Sequence, residues 1–394
     1  MRIAGFIRLW PSHRGVGGMQ GHALNLYSGL AARGHDVHVL TTYHEKKPAV
    51  EVEQGVTVHY LKGCPPAVYS NEYFDAASKT LDELNQQKKV DVIHSESDCA
   101  RRHLGGLIPV VVTWHGIAYC SYRSRLNLAL LDSNKTAHVI ELQKTSENII
   151  REMGVIPRYD HSIAISHQAY NDLNNVYGIP ASKLSLVFNG FDIKAFDIFP
   201  NARQAIVAQY KLPNDAIILG VVGRIVPDKG HRQLMAIISK LVALNRKIFL
   251  LIVGEGGLVH DYIRLGLKNI IYVGPKQYSE MPNYYNAFDV FLNPTTRYLG
   301  LDMSIQEAML CGTPVVASNV GSIRESLLPA REYGTTFTLG DSDDMVNKIM
   351  MIINHPERKK LGLAGRQYVK QFCSIEQMCV GTENAFATAI GAKR

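Results

Sequence analysis

Short continuous apolar runs alternate along this chain with longer stretches whose apolar positions fall three and four apart. The first kind reads as strands buried on both faces and the second as helices laid against them, so the pattern predicts α/β units with parallel sheets. Strands are expected over 2–9, 36–42, 56–61, 90–95, 108–116, 160–166 and 184–192. The pattern then turns irregular over 193–212, punctuated by Phe199-Pro200 and Leu212-Pro213, which marks a linker and a domain change. It resumes with strands over 217–222, 248–253, 270–274, 290–294 and 315–318. Helices are expected over 23–31, 78–87, 138–153, 232–244, 281–287, 343–353, 356–372 and 375–390. Three segments follow: 1–192, 193–372 and a closing helical stretch over 373–394.

At 394 residues the chain is too long for one ordinary core, which agrees with two domains. A hydrophobic share of 46% and a charged share of 20% are ordinary for a globular protein, and no apolar run approaches the roughly 20 residues of a membrane span. The first ten residues read as a strand interrupted by charge rather than a secretory signal. Cys64, Cys99, Cys120, Cys311, Cys373 and Cys379 form no C-x-x-C pair, which favours reduced thiols and a cytoplasmic compartment. The net charge of +7 suits an anionic small molecule and leaves peripheral contact with an anionic membrane face open. It is too dispersed for a nucleic-acid binder.

Three places carry candidate chemistry. The strand at 217–222 ends in Gly223-Arg224 before a turn holding Pro227, Asp228, Lys229 and Gly230. Two cations in a βα loop suit a diphosphate, Arg as a planar fork and Lys as a point charge. Near the N-terminus, Gly15-Val16-Gly17-Gly18 opens a helix whose positive end faces an anion. The dinucleotide fingerprint is incomplete there, because Gln20 stands where a third glycine is needed and the second strand ends in Thr41-Thr42 instead of an acid. The predicted strand at 108–116 delivers His115 at its tip, where a histidine is more often a hydrogen-bonded structural residue than a chemical one. Asp341-Ser342-Asp343 mimics a metal-binding motif but reads as the N-cap of the next helix, and no metal site is expected.

Gly223-Arg224 and Lys229-Gly230, taken with Glu307-Ala308-Met309-x-Cys311-Gly312-Thr313-Pro314-Val315-Val316-Ala317, resemble the nucleotide-sugar half of retaining glycosyltransferases of family 4, the glycosyl transferases of group 1. Ser166 and Asn189-Gly190-x-Asp192 match further family positions. The resemblance implies a GT-B fold: two Rossmann-like domains facing a cleft, an acceptor domain over 1–192, a nucleotide-sugar domain over 193–372, and a C-terminal helix crossing back. It assigns His115, Arg224 and Lys229 to catalysis, and Gly17, Gly18, Gly223, Gly254, Val273, Asp302, Met303, Ser304 and Glu307 to the donor. Gly17 and Gly18 would offer a backbone amide to the distal phosphate, Val273 main-chain atoms to the base, and Glu307, placed at a helix start, a carboxylate to the ribose. One acid of the family pattern is absent: Leu299 stands in its place, and Asp302 replaces the usual loop glycine. Arg297-x-x-Gly300-Leu301-Asp302 is shared with plant-type members.

What the resemblance implies is transfer of a sugar from a nucleotide sugar, a UDP-sugar by family frequency, to an unidentified acceptor, with no metal and no cofactor. Two other activities fit the same residues: a nucleotide-sugar-binding protein without transfer, for which Leu299 argues, and an epimerase or hydrolase on the same fold.

Overall fold

A computed structural model of the chain describes residues 1–13, 18–65, 68, 70–131, 135–298, 302–327 and 334–393. The chain forms two compact units. The first comprises residues 1–119, 146–191 and 373–394, and the second 120–145 and 192–372.

The first unit is built on an eight-stranded sheet. Its order is Val50–Glu53, Val56–Leu61, Asp36–Thr42, Arg2–Phe6, Val92–Glu96, Val110–Trp114, His161–Ala164 and Leu184–Leu186. All neighbours run parallel except the edge strand Val50–Glu53, which pairs antiparallel with Val56–Leu61. Arg2–Phe6, Val92–Glu96 and Val110–Trp114 are buried throughout, as a parallel sheet covered on both faces requires. The helix Gly18–Ala32 lays Leu26, Tyr27 and Leu30 into the core. The C-terminal helix Ile375–Lys393 adds Met378, Cys379, Ala385 and Phe386 to that same core.

In the second unit six parallel strands run in the order Ile270–Gly274, Ile248–Val253, Ile217–Val222, Val290–Asn293, Val315–Ser318 and Gly334–Phe337. Leu234, Ile237, Ile238 and Leu241 of the helix His231–Leu244 pack on one face with Met345, Val346 and Ile349 of the helix Ser342–Ile353. Asp341 caps the latter helix, accepting from the amides of Asp343 and Asp344. Asp343 pairs with Lys240 at 2.5 Å. Asp341 and Asp343 are thus engaged in capping and an exposed ion pair.

Three expectations need correction. The segment 193–212 is not wholly irregular: Ala202–Gln209 is a helix. Arg203 pins it, donating to the carbonyls of Ala216 (2.6 Å) and Ala287 (2.9 Å) and to Asp289 (2.9 Å). Residues 120–145 group with the second unit although they lie inside 1–192. Asn127 donates to Thr296 O (2.9 Å), and Ser124 Oγ accepts from the Tyr298 amide (2.8 Å). Arg123 stacks over the Tyr298 ring at 4.7 Å. Glu307 does not stand at a helix start: the helix is Met303–Leu310, so Asp302 holds the N-cap position and Glu307 lies in the second turn.

Candidate functional site

In the second unit, the strand Ile217–Val222 sits between Ile248–Val253 and Val290–Asn293, so its carboxyl end opens where loops from both sides converge. Gly223 turns the chain out with φ 121°, and the short turn Pro227–Lys229 closes on Gly230 at φ 78°. A Cβ on Gly230 would meet the Pro294 carbonyl at 1.7 Å, so glycine is required twice over there. Thr295 and Thr296 lock the turn, each donating its hydroxyl to the Asp228 carbonyl at 3.1 Å. Arg224 is 63% exposed, and its guanidinium lies 3.9 Å from Asp228 Oδ2. Lys229, by contrast, is tucked in: Nζ lies 2.8 Å from Asp302 Oδ2. Ser304 donates to the other oxygen of Asp302 at 2.8 Å. Burial pushes the Asp302 carboxyl up, but Lys229, Ser304 and Asn293 outweigh it and hold the group well below the usual carboxylate range.

Glu307 is buried beneath this loop and accepts a hydrogen bond from Tyr285 (2.8 Å). Burial raises its pKa to about 7, with the nearby Asp302 charge adding to the rise while Tyr285, Tyr278 and Lys229 oppose it. Gly254 ends the adjacent strand at φ 138°, and a Cβ there would meet Gly223 O at 1.9 Å. At Val273 the pairing with Ile248–Val253 slips: Tyr272 faces Ile252 and Gly274 faces Val253, leaving Val273 as the extra residue of a bulge. The second unit therefore gathers Gly223, Arg224, Lys229, Gly254, Val273, Asp302, Met303, Ser304 and Glu307 around one sheet edge. Leu299 lies outside the described residues.

The first unit holds a different cluster. His115 follows the strand Val110–Trp114, and its Nε2 lies 2.6 Å from Oε2 of Glu96, the last residue of the neighbouring strand. His22, in the helix Gly18–Ala32, stacks edge-on to His115 with ring centroids 4.6 Å apart. His94 is held by Tyr27 (2.9 Å) and Thr113 (2.9 Å). Burial pushes Glu96 up, yet His22, His115 and His94 together bring it down to about 2. Burial lowers His22 to about 3 despite the Glu96 charge. Gly18 is the exposed first residue of its helix, and Gly17 lies outside the described residues.

Glu96 and His22 were not singled out by the sequence pattern. The signal was available in the sheet: Glu96 pairs in register with Thr113, two residues before His115, so strand ends at neighbouring positions predict the contact.

Two Rossmann-like units, each with polar residues at the carboxyl ends of a parallel sheet, make up the GT-B fold, and solved structures share it. The fold superimposes on sucrose-phosphate synthase from Thermosynechococcus elongatus with a TM-score of 0.82 at 22% identity over 99% of both chains. It superimposes on Anabaena HepE, solved with UDP-glucose, with a TM-score of 0.73 at 18% identity, covering 98% of this chain and 100% of that one. Residues 16–195 match the model of Glycosyltransferase Family 4, and residues 216–355 that of Glycosyl transferases group 1. The chain belongs to this family. Among similar relatives, a D-inositol 3-phosphate glycosyltransferase of Thermobifida fusca is 26% identical over 385 residues, covering 90% of this chain and 85% of that protein. An uncharacterized glycosyltransferase of Methanocaldococcus jannaschii is also 26% identical, over 82% of each.

Proposed function

We propose that this glycosyltransferase moves a hexosyl group from a UDP-sugar to its acceptor with retention of configuration and without a metal ion. The observation that carries this reading is the pair of cations at the end of the strand Ile217–Val222, Arg224 exposed and Lys229 held in place by Asp302. Their charge would match the negative charge that grows on the diphosphate as the sugar–phosphate bond breaks, and donors fixed beforehand need no reorganisation during that step. The acceptor hydroxyl would attack the face the diphosphate leaves, and the departing phosphate would take its proton. No carboxylate nucleophile is needed, so Leu299 in place of an acid is compatible with turnover.

Glu307 would receive the ribose hydroxyls. Val273, freed from regular pairing by the bulge, has main-chain atoms to offer the base. Gly17, Gly18, Gly223, Gly254, Met303 and Ser304 would complete the donor site, Asp302 would steer Lys229, and His115 would meet the sugar. The choice of UDP is supported by Anabaena HepE, of the same fold, which was solved with UDP and with UDP-glucose. Residues 1–192 would supply most of the acceptor side and 193–372 most of the donor side.

The test is a melting-temperature panel with UDP, GDP, ADP, NAD and UDP-sugars, with and without magnesium. A ligand at about 100 times its Kd adds roughly 2.7 kcal/mol. A rise with UDP and UDP-sugars that magnesium does not change supports the reading; a rise confined to another base, or a strict need for magnesium, overturns it.

A further inference from the structure

Beneath His115 the first unit leaves hydrogen-bonding capacity unused. His22 is 2% exposed, and among the described residues neither ring nitrogen meets a partner in full hydrogen-bond geometry, although the Asn189 side chain lies close enough to interact. Oε1 of Glu96, in a fully buried side chain, likewise meets no partner in full hydrogen-bond geometry among the described residues, the Tyr27 hydroxyl being near enough to interact, and it stands 3.7 Å from His22 Nε2. Oε2 of the same carboxylate meets His115 Nε2 at 2.6 Å. One donor atom from each of these three side chains falls within 4.8 Å of the others. Buried polar atoms are rarely orphaned, and where they are, an ion or an ordered water is the usual resolution.

We propose that His22, Glu96 and His115 bind one divalent transition-metal cation of the zinc type, and that its occupancy withdraws His115 from the sugar. Two imidazoles and a carboxylate are the donor set that a borderline cation prefers, whereas magnesium and calcium favour oxygen-rich sites. Bond lengths near 2.0 Å put tetrahedral ligand atoms about 3.3 Å apart, close to the His22–Glu96 separation. The cation displaces the hydrogen bond between His115 and Glu96, and His115 has the freedom to swing because its side chain, unlike the other two, keeps 13% of its surface open. That opening also leaves the fourth coordination position accessible to water or a ligand.

The surroundings fit a metal ligand's support. Asn189, buried with its own Oδ1 lacking a formed hydrogen bond, lies beside His22, where it can accept from the ring nitrogen that the cation does not use. His94 Nδ1 lies 3.9 Å from Glu96 Oε1, and the ring is fixed on both nitrogens by Tyr27 and Thr113. The three ligands come from a helix and two adjacent strand ends of one unit, so the site is formed within the first unit alone.

The binding half of the proposal stands apart from the proposed reaction; the inhibitory half rests on the role given there to His115. Metal-free protein is titrated with Co2+, whose visible absorption is intense at low coordination number and faint in an octahedral shell of water. One equivalent per chain should give the intense band, and Zn2+ should displace it. His22→Ala and Glu96→Gln should each lose the band while near-ultraviolet circular dichroism shows them folded; if Glu96→Gln does not fold, His22→Ala and His115→Ala decide. His13→Ala, at a histidine pair elsewhere in the unit, should keep it. Absence of the band in the wild type, or its persistence in His22→Ala, overturns the site. Saturating zinc should then lower turnover at least tenfold, reversed by EDTA. Zinc bound at one equivalent with turnover unchanged overturns the inhibition and the sugar role of His115 while leaving the binding site standing.

Discussion

Two glutamates, Glu96 in the first unit and Glu307 in the second, are buried to nearly the same degree and pushed in opposite directions. Glu96 is held down to about 2 by a ring of imidazoles. Burial raises Glu307 to about 7, with the negative Asp302 adding to the rise and the hydrogen bonds of Tyr285 and Tyr278 only partly opposing it. Burial raises both, and only around Glu96 do the neighbours outweigh it, because they can carry the opposite charge. The first unit surrounds its acid with groups able to become cations; in the second, Lys229 is paired with Asp302.

That contrast breaks first at Lys229. Replacing it by Ala strands the Asp302 carboxylate in the interior, and removal of one partner from a buried pair costs about 3 kcal/mol or more. Chemical denaturation should show that loss, and a Lys229→Ala, Asp302→Ala double variant should recover part of it. Turnover should stay low in both. If the double variant is no more stable than the single one, the ion pair is not what holds this loop.

Next comes Glu307. Its pKa in the folded chain lies above the ordinary carboxylate value of 4.5, so the native state holds its proton more tightly than the unfolded chain. The resulting stability is fully present below about pH 4.5 and is lost as pH rises to about 7, an effect of roughly 3 kcal/mol. Glu307→Gln should remove this slope from the stability-against-pH curve. Ribose hydroxyls prefer the ionised carboxylate as acceptor, so UDP affinity in the wild type should climb through pH 7 and level off. A flat affinity profile with the wild-type side chain would sink the ribose assignment.

Arg224→Ala should lower kcat by about 2 kcal/mol or more, some 30-fold, with the melting temperature unchanged because the side chain is largely exposed. Asp341→Ala should destabilise by about 1 kcal/mol through loss of the N-cap. Its turnover should be normal, since that side chain caps a helix. EDTA should leave turnover of the zinc-free enzyme where it was; a fall would mean that the reaction needs a metal after all.

The alternation of strand and helix was legible because buried parallel strands write themselves as unbroken apolar runs, as in Ile217–Val222 and Ile248–Val253. Val50–Glu53 escaped because an exposed edge strand in the sequence Val-Glu-Val-Glu carries no such run. Gly334–Phe337 escaped for a related reason: Gly-Thr-Thr-Phe has only one large apolar residue. The helix Ala202–Gln209 was hidden by flanking prolines and is secured by Arg203, whose partners lie far along the chain. In the second unit the loops at the carboxyl ends of the strands could be picked out, but the pairing of Lys229 with Asp302 spans 73 positions and belongs to the fold. Likewise Glu96 gains its meaning from the strand beside it, not from its own neighbours in sequence.

The helix Ile375–Lys393 follows the whole second unit in the chain, yet it supplies core to the first. Gly29 is shaped to receive it: a Cβ there would come within 2.6 Å of Cys379 Sγ. During synthesis, then, the first unit leaves the ribosome unfinished, with the groove for Phe386 and Cys379 open, and waits for the second unit to be made before its own interior can close. Chaperone demand should therefore peak late in translation, and a nascent chain stalled just short of residue 375 should be far more protease-sensitive in its first 190 residues than the released protein.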